Sequence, residues 1–287
     1  DLDDPNEGQR FTIIVPEEQV DLAFRMQEDI EKSREESVPE SLRIAMMDFL
    51  LTGIVKHIRR KSGVNLNKHH TMLIHIQWKN DDQGVAASLV EELWDEWTEL
   101  ADSTLGNEGA IFRDSLKKRW QEEFLCWGES FETWSQIEQE LLIPSDEGGW
   151  MGSVEVRAIN SKNPKQKLDY SDSPEGLNII AIGGNKLSRG LTLEGLTVSY
   201  FLRRASNYDS LMQMGRWFGY RHGYEDLVRV HSSLELLCWF EWLVRVEAEV
   251  RSDIARYDYL GLSPTQLAVR IPLHPLMKPT SSSKMTE

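Results

Sequence analysis

Nine residues, Gln213-Met-Gly-Arg-Trp-Phe-Gly-Tyr-Arg221, combine a glutamine, two glycines and two arginines just ahead of an apolar run, Leu227 to Val230. Arginine in such a setting suits phosphate. Its planar, permanently charged fork matches phosphate oxygens two at a time. A positioned arginine also neutralises charge that develops on a transferred phosphoryl group. The types and spacing therefore point to nucleotide hydrolysis rather than to small-molecule chemistry. Arg216 taken alone reads more simply as an ion-paired surface residue. A second segment upstream reverses that preference.

That segment is Gly183-Gly-Asn-Lys-Leu-Ser-Arg-Gly-Leu-Thr192, which follows the apolar run Asn178-Ile-Ile-Ala-Ile182. Glycines after a strand let backbone approach a phosphate, and Lys186, Ser188 and Arg189 add donors. Neither segment is a Walker A loop, because Gly-x-x-x-x-Gly-Lys-Ser/Thr is absent from the sequence. No DEAD- or DEAH-like acidic tetrapeptide follows a strand either. The main triphosphate and magnesium site is expected outside this chain.

Other candidates read more plainly. His69, His70 and His75 invite a metal reading, but residues 70 and 75 of one strand face opposite sides. Core or solvent histidines are the simpler expectation. Lys162, Lys165 and Lys167 are expected in a solvated loop. A PD-(D/E)xK nuclease needs carboxylates and a lysine converging on a metal. Asp146 with Glu155-Val-Arg157 comes nearest and lacks the lysine, and no His-x-Lys occurs. Any DNA cleavage is therefore expected from a partner subunit.

The elements that would position these residues follow from periodicity. Pro39-Glu-Ser opens a helix in which Leu42, Met46, Phe49, Leu50 and Gly53 share a face through His57. Arg59-Arg-Lys61 and Gly63 suit its C-terminal end. Thr71 to Gln77 reads as a strand buried on both faces. Three helical stripes follow: Val90, Leu93, Trp94 and Trp97; Leu116, Trp120 and Phe124; Phe131, Trp134, Ile137 and Leu141. Their helical spacing marks these tryptophans as core rather than a base-stacking platform. Pro144 to Gly149 breaks the pattern. Strands are expected at Val154 to Ile159, Asn178 to Ile182, Thr197 to Leu202 and Leu227 to Val230. A polar loop is expected from Asn160 to Gly176, a helix from Tyr208 to Trp217, and a closing helix through Ile254. Alternating strands and helices imply an α/β parallel sheet, with ligands at the C-terminal ends of its strands. Residues 1–38 read as an acidic flank or linker, 39–271 as the domain with a helical insertion at about 83–143, and 272–287 as a loosely ordered tail.

Composition agrees with a soluble globular protein: 40% apolar and 28% charged over 287 residues. The net charge of −15 argues against a basic coat for nucleic acid. Gly183 to Arg221 is nevertheless net basic. No apolar run approaches the ~20 residues of a membrane span. The two isolated cysteines, Cys126 and Cys238, form no disulfide framework, so a reducing cytoplasmic setting is expected. The chain begins at Asp1, which reads as a piece of something longer.

Taken together, the order strand, Ser-Arg-Gly loop, strand, then helix with Gln-x-Gly-Arg resembles motifs V and VI in the second RecA-like domain of superfamily 2 helicases. The likeness is closer still to the Z-one domain family. It is carried by Pro39-Glu-Ser-Leu, His70-Thr-Met-Leu-Ile-His75, Leu187-Ser-Arg-Gly-Leu-Thr-Leu193, Met212-Gln-Met-Gly-Arg-Trp-Phe-Gly-Tyr-Arg221 and the ending Pro275-Leu-Met277. The family is similar to the helicase-like subunit of NTP-dependent restriction enzymes of the CglI type.

The resemblance implies a RecA-like fold that follows a DEAD-type ATPase domain, with ATP and Mg2+ between the two lobes. Arg216 and Arg221 would reach the phosphates, supported by Gln213. Arg189, Gly190 and Thr192 would lie near the ribose. Asn185, Lys186 and Ser188 would face the backbone of double-stranded DNA. A restriction or antiviral defence role, with a separate nuclease subunit and no membrane, is implied. The other reading is a non-catalytic DNA- or protein-binding scaffold with a decayed RecA-like fold. A self-contained nuclease is the third.

Two departures matter. Thr192 stands where the motif usually has Asp, which removes an Asp–Arg pair between the motifs. Arg216 and Arg221 are five residues apart rather than three, so on a continuous helix they would diverge. For both to reach one phosphate the helix should end near Gly219.

Overall fold

A computed structural model describes residues 11–26, 37–76, 80–103, 107–125, 132–159, 168–184, 192–203, 207–215, 218 and 222–259. Six strands form one all-parallel sheet: β1 (Thr12–Val15), β2 (His70–His75), β3 (Val154–Ile159), β4 (Asn178–Gly183), β5 (Leu196–Phe201) and β6 (Arg229–Ser233). Their spatial order is β1-β6-β5-β2-β4-β3. The helices are α1 (Glu17–Arg25), α2 (Glu40–Lys61), α3 (Asn80–Asp102), α4 (Asn107–Glu123), α5 (Trp134–Leu141), α6 (Tyr208–Gly215) and α7 (Leu234–Tyr259).

Every residue of the central strands β2 and β5 is buried, because helices cover both faces of the sheet. Side chains alternate between two cores. Met72, Ile74, Ile180, Ile182, Val198 and Tyr200 pack under α1 to α5. Leu73, Ile179, Ala181 and Phe201 pack under α6 and α7. The pairing of β2 with β5 slips between Thr71 and Met72. Such a slip reverses the alternation on one side, so Leu196 joins the α6–α7 core although Val198 faces the other one.

The helix opened by Pro39 runs as its stripe requires, and Leu42, Met46, Phe49 and Leu50 are fully buried. Gly53 lets Trp150 close in, since a Cβ there would sit 2.0 Å from the indole ring. The three stripes of the insertion form α3, α4 and α5, with Trp94, Trp97 and Trp120 buried as core.

Two expectations change. Residues read as part of an acidic linker instead supply β1 and α1. Strand β1 pairs in parallel with β6, Thr12 beside Val230, and Val15, Val20 and Ala23 are buried. A four-residue edge strand needs few apolar residues, so acidic surroundings masked it. The last strand begins at Arg229 and runs to Ser233, while Leu227 ends a 3-10 turn. Apolarity alone misplaced it, because its inward residues include Arg229 and His231. The expected tail from Pro272, Lys162, Lys165, Lys167, Cys126 and Phe131 lie outside the described residues.

Candidate functional site

Parallel strands put all their N-terminal ends on one edge of the sheet and all their C-terminal ends on the other, about 20 Å away for six residues. Strand β4 delivers Gly183 and Gly184 to the C-terminal edge, and Thr192 lies at the N-terminal edge ahead of β5.

The N-terminal edge is held by backbone. The Thr71 N–H donates to Gly195 O at 3.0 Å, and Thr71 Oγ1 donates to Glu194 O at 2.7 Å. Gly195 has φ +65°, and a Cβ there would stand 1.8 Å from His69 O. Only glycine tolerates both the left-handed backbone and the close approach. Thr192, Glu194, Asn65, Asn67, His222 and Tyr224 line one cavity of about 510 Å3. Thr192 precedes β5 and His222 precedes β6, and the fold brings them together although thirty positions separate them.

Gln213 is exposed on α6, beside the buried Met214. Phe218 is in a 3-10 turn, His222 is in a turn, and Gly223 has φ +81°. An uninterrupted α-helix through His222 is therefore not formed. The point at which the helix ends, together with Arg216, Arg221, Arg189, Gly190, Asn185, Lys186 and Ser188, falls outside the described residues.

The polar groups around this cavity are the Thr192 and Tyr224 hydroxyls, the Asn65 and Asn67 carboxamides, the His222 imidazole and the Glu194 carboxylate, a set that can bond a ribose or base edge. Among the described residues no three carboxylate, His or Cys side chains converge. A larger cavity of about 700 Å3 opens beside Met212, Gly215 and Phe218, but Val230, Leu237 and Phe240 make it apolar. It offers little to balance phosphate charge.

The C-terminal edge is built differently. His75 is buried, stacks on Phe201 with ring centroids 5.2 Å apart, and has Nε2 3.2 Å from Gly184 O. Burial, and then the Arg203 charge, push His75 down to about 3, so it is neutral near pH 7. Arg203 follows β5 directly, and its own partial burial lowers its pKa. A Cβ at Gly184 would lie 2.8 Å from Gln83 Nε2 and 3.7 Å from an Arg203 guanidinium nitrogen. Backbone, an amide and a cation thus crowd the crevice where β4 and β5 end. The sequence reading had not assigned Arg203 a role. Its place as the first charge after a buried strand was the available signal.

The histidines divide as their parity requires. His70 stacks on Phe49 under α2 and His75 on Phe201 under α7. His69 Nδ1 accepts the Leu177 N–H at 3.0 Å. All three serve the sheet. Glu155 and Arg157 form an exposed ion pair with each other.

A six-stranded parallel sheet with helices on both faces and motif-flanking residues at both edges is a RecA-like α/β arrangement. The chain belongs to the Z1 domain family, whose model matches residues 41–277. No curated protein and no solved structure matches it. Among the described residues no helix is long and apolar enough to cross a membrane.

Proposed function

We propose that this chain is the second RecA-like lobe of an ATP-dependent, DNA-stimulated motor of the kind found in restriction and antiviral defence. ATP and Mg2+ are held mainly by a preceding DEAD-type lobe, and Arg216 and Arg221 reach the phosphates from this side, supported by Gln213. The observation that carries the reading is the shared cavity of Thr192 and His222. Two segments far apart in sequence, each rich in phosphate-type residues, have flanks that meet at one edge of the sheet. Arg189, Gly190 and Thr192 serve the ribose side. Asn185, Lys186 and Ser188 contact double-stranded DNA, together with Arg203 at the opposite edge. Closure of the two lobes on ATP then changes the grip on DNA. Nuclease activity belongs to a separate subunit.

The test is Arg216→Ala in the two-lobed protein. An arginine that stabilises the transferred phosphoryl group contributes ~10³-fold or more to turnover. DNA-stimulated ATP hydrolysis should fall by about that factor, with the thermal unfolding temperature unchanged. Normal turnover would remove the motor reading. The neutral Thr192 in place of a carboxylate would then favour the non-catalytic scaffold.

A further inference from the structure

The last two turns of α2 and the loop before β2 enclose a cavity of about 490 Å3 at the N-terminal edge of β2 and β4. Lys56, Arg60, Lys61 and Lys68 line it, with Trp150 and Asn178 on the far wall. Two carboxylates oppose these four cations. Glu175 lines the cavity, and Glu140 binds Lys61 Nζ at 2.8 Å and lies 3.5 Å from His57 Nε2. The balance is two positive charges in a concave site on a protein whose net charge is −15.

The cations are set by backbone. Arg60 donates to Lys68 O at 3.1 Å, and Lys68 Nζ donates to Pro174 O at 2.7 Å. Lys56 Nζ donates to His69 O at 2.7 Å and stands 4.2 Å from the centre of the Tyr224 ring. No carboxylate pairs with Arg60 or Lys68 among the described residues. A basic helix end that merely complements its dipole needs no concavity. This one has walls fixed by packing: Gly53 admits Trp150, and Gly176, at φ +122°, brings its backbone against Lys68 O. Burial first, and then Lys61 and Arg60, depress His57 on the cavity wall, with Glu140 opposing them; the neighbouring His69 is depressed by burial first, with Lys68, Lys56 and Arg60 adding to it and Glu194 opposing.

The geometry points to a binding site for a small phosphate-bearing anion, of pyrophosphate or nucleotide-phosphate class, held by Arg60 and Lys68. Size and charge both suit it. Cavities of a few hundred Å3 hold small ligands, and a guanidinium and an ammonium lining one cavity can give charge-assisted bonds to phosphate oxygens. Asn67 lies on the wall between this cavity and the one lined by Thr192 and His222, so the anion would sit next to the proposed nucleotide edge. The inference does not rest on ATP turnover.

The test is titration of the protein with pyrophosphate, followed by calorimetry and phosphorus NMR. Binding is expected with a Kd on the order of 0.1–1 mM at about 50 mM salt, weakening as salt rises. The Arg60→Gln/Lys68→Gln double variant should lose at least about tenfold in affinity. Arg251→Ala, a remote exposed cation on α7, should lose nothing. If the double variant unfolds, Lys68→Gln alone should still weaken binding severalfold at an unchanged unfolding temperature. No binding at about 10 mM pyrophosphate, or equal affinity in the variants, overturns the site. So does a result in which the double variant loses affinity for a short DNA duplex but not for pyrophosphate, since the cations would then form part of a DNA track.

Discussion

Arg119 on α4 grips Asp48 on α2 through two parallel hydrogen bonds of 2.7 Å, from Nε to Oδ1 and from a terminal nitrogen to Oδ2. Asp48 is fully buried, and His231 of β6 completes its shell, with Nε2 2.9 Å from Oδ2. Next to it, buried Arg229 donates to Glu123 Oε1 at 3.0 Å and to the carbonyls of Asp226 and Val228, and it lies 4.3 Å over the Phe124 ring. These five residues bolt the helical insertion to the sheet beside β6, the strand that follows Gln213 to Arg221.

Breaking this network from one side should cost more than removing it whole. Arg229→Met leaves Glu123 buried without its main partner, and a loss of about 3–5 kcal/mol is expected. The Arg229→Met/Glu123→Leu pair should recover most of that, because neither charge is then stranded. Urea denaturation of the singles and the double measures the coupling. Additive losses would show that the two charges do not act as a pair.

Acid should destabilise the fold in two stages. Burial, assisted by Arg203, lowers His75 to about 3, and burial with the Lys56 charge holds His70 well below the usual imidazole range. The unfolded chain takes up protons near pH 6.5 that the folded chain refuses, so stability present above that pH falls as pH drops below it. Burial tends to raise Asp48, but the hydrogen bonds and charges of Arg119 and His231 outweigh it and lower its pKa. Its contribution is present above about pH 4 and is lost as pH falls through its depressed folded value. Denaturation midpoints at pH 7.5, 5.5 and 3.5 should fall in that order. Substituting His75 by Gln should flatten the first step.

Gly195→Ala should cost at least about 2 kcal/mol, from the left-handed backbone and from the clash with His69 O. The mutation also displaces the turn that carries Thr192 and Glu194. Gly84→Ala, where a Cβ meets nothing within 4 Å, is the control and should be neutral or mildly stabilising. Thermal unfolding of the two variants makes the comparison.

Arg203→Ala should weaken double-stranded DNA binding by the two-lobed protein about equally for all sequences. The slope of log affinity against log salt should become shallower by about one, as for loss of one phosphate contact. An unchanged slope in a titration from 50 to 200 mM salt would remove Arg203 from the DNA edge.

The central architecture was legible in the sequence because both signals it needs are local. The near-continuous apolar runs of Thr71 to Ile76 and Asn178 to Ile182 require strands covered on both faces, and stripes such as Val90, Leu93, Trp94 and Trp97 require helices to cover them. The glycine and arginine spacing of Gly183 to Arg221 was equally local, and with Pro39 to Leu42, His70 to His75 and Pro275 to Met277 it pointed to the family. Other features depended on partners that no local window contains. Thr12 to Val15 is a strand only because β6, more than two hundred residues later, offers it an edge. Arg229 and His231 point inward only because Glu123 and Asp48 are there to hydrogen-bond them. The choice of edge was also tertiary. Thr192 and His222 meet at the N-terminal ends of the strands, because the chain must cross the sheet to start each new parallel strand. The sequence determined the order and spacing of the glycine- and arginine-rich segments, and the crossings between parallel strands decided which of their flanks meet.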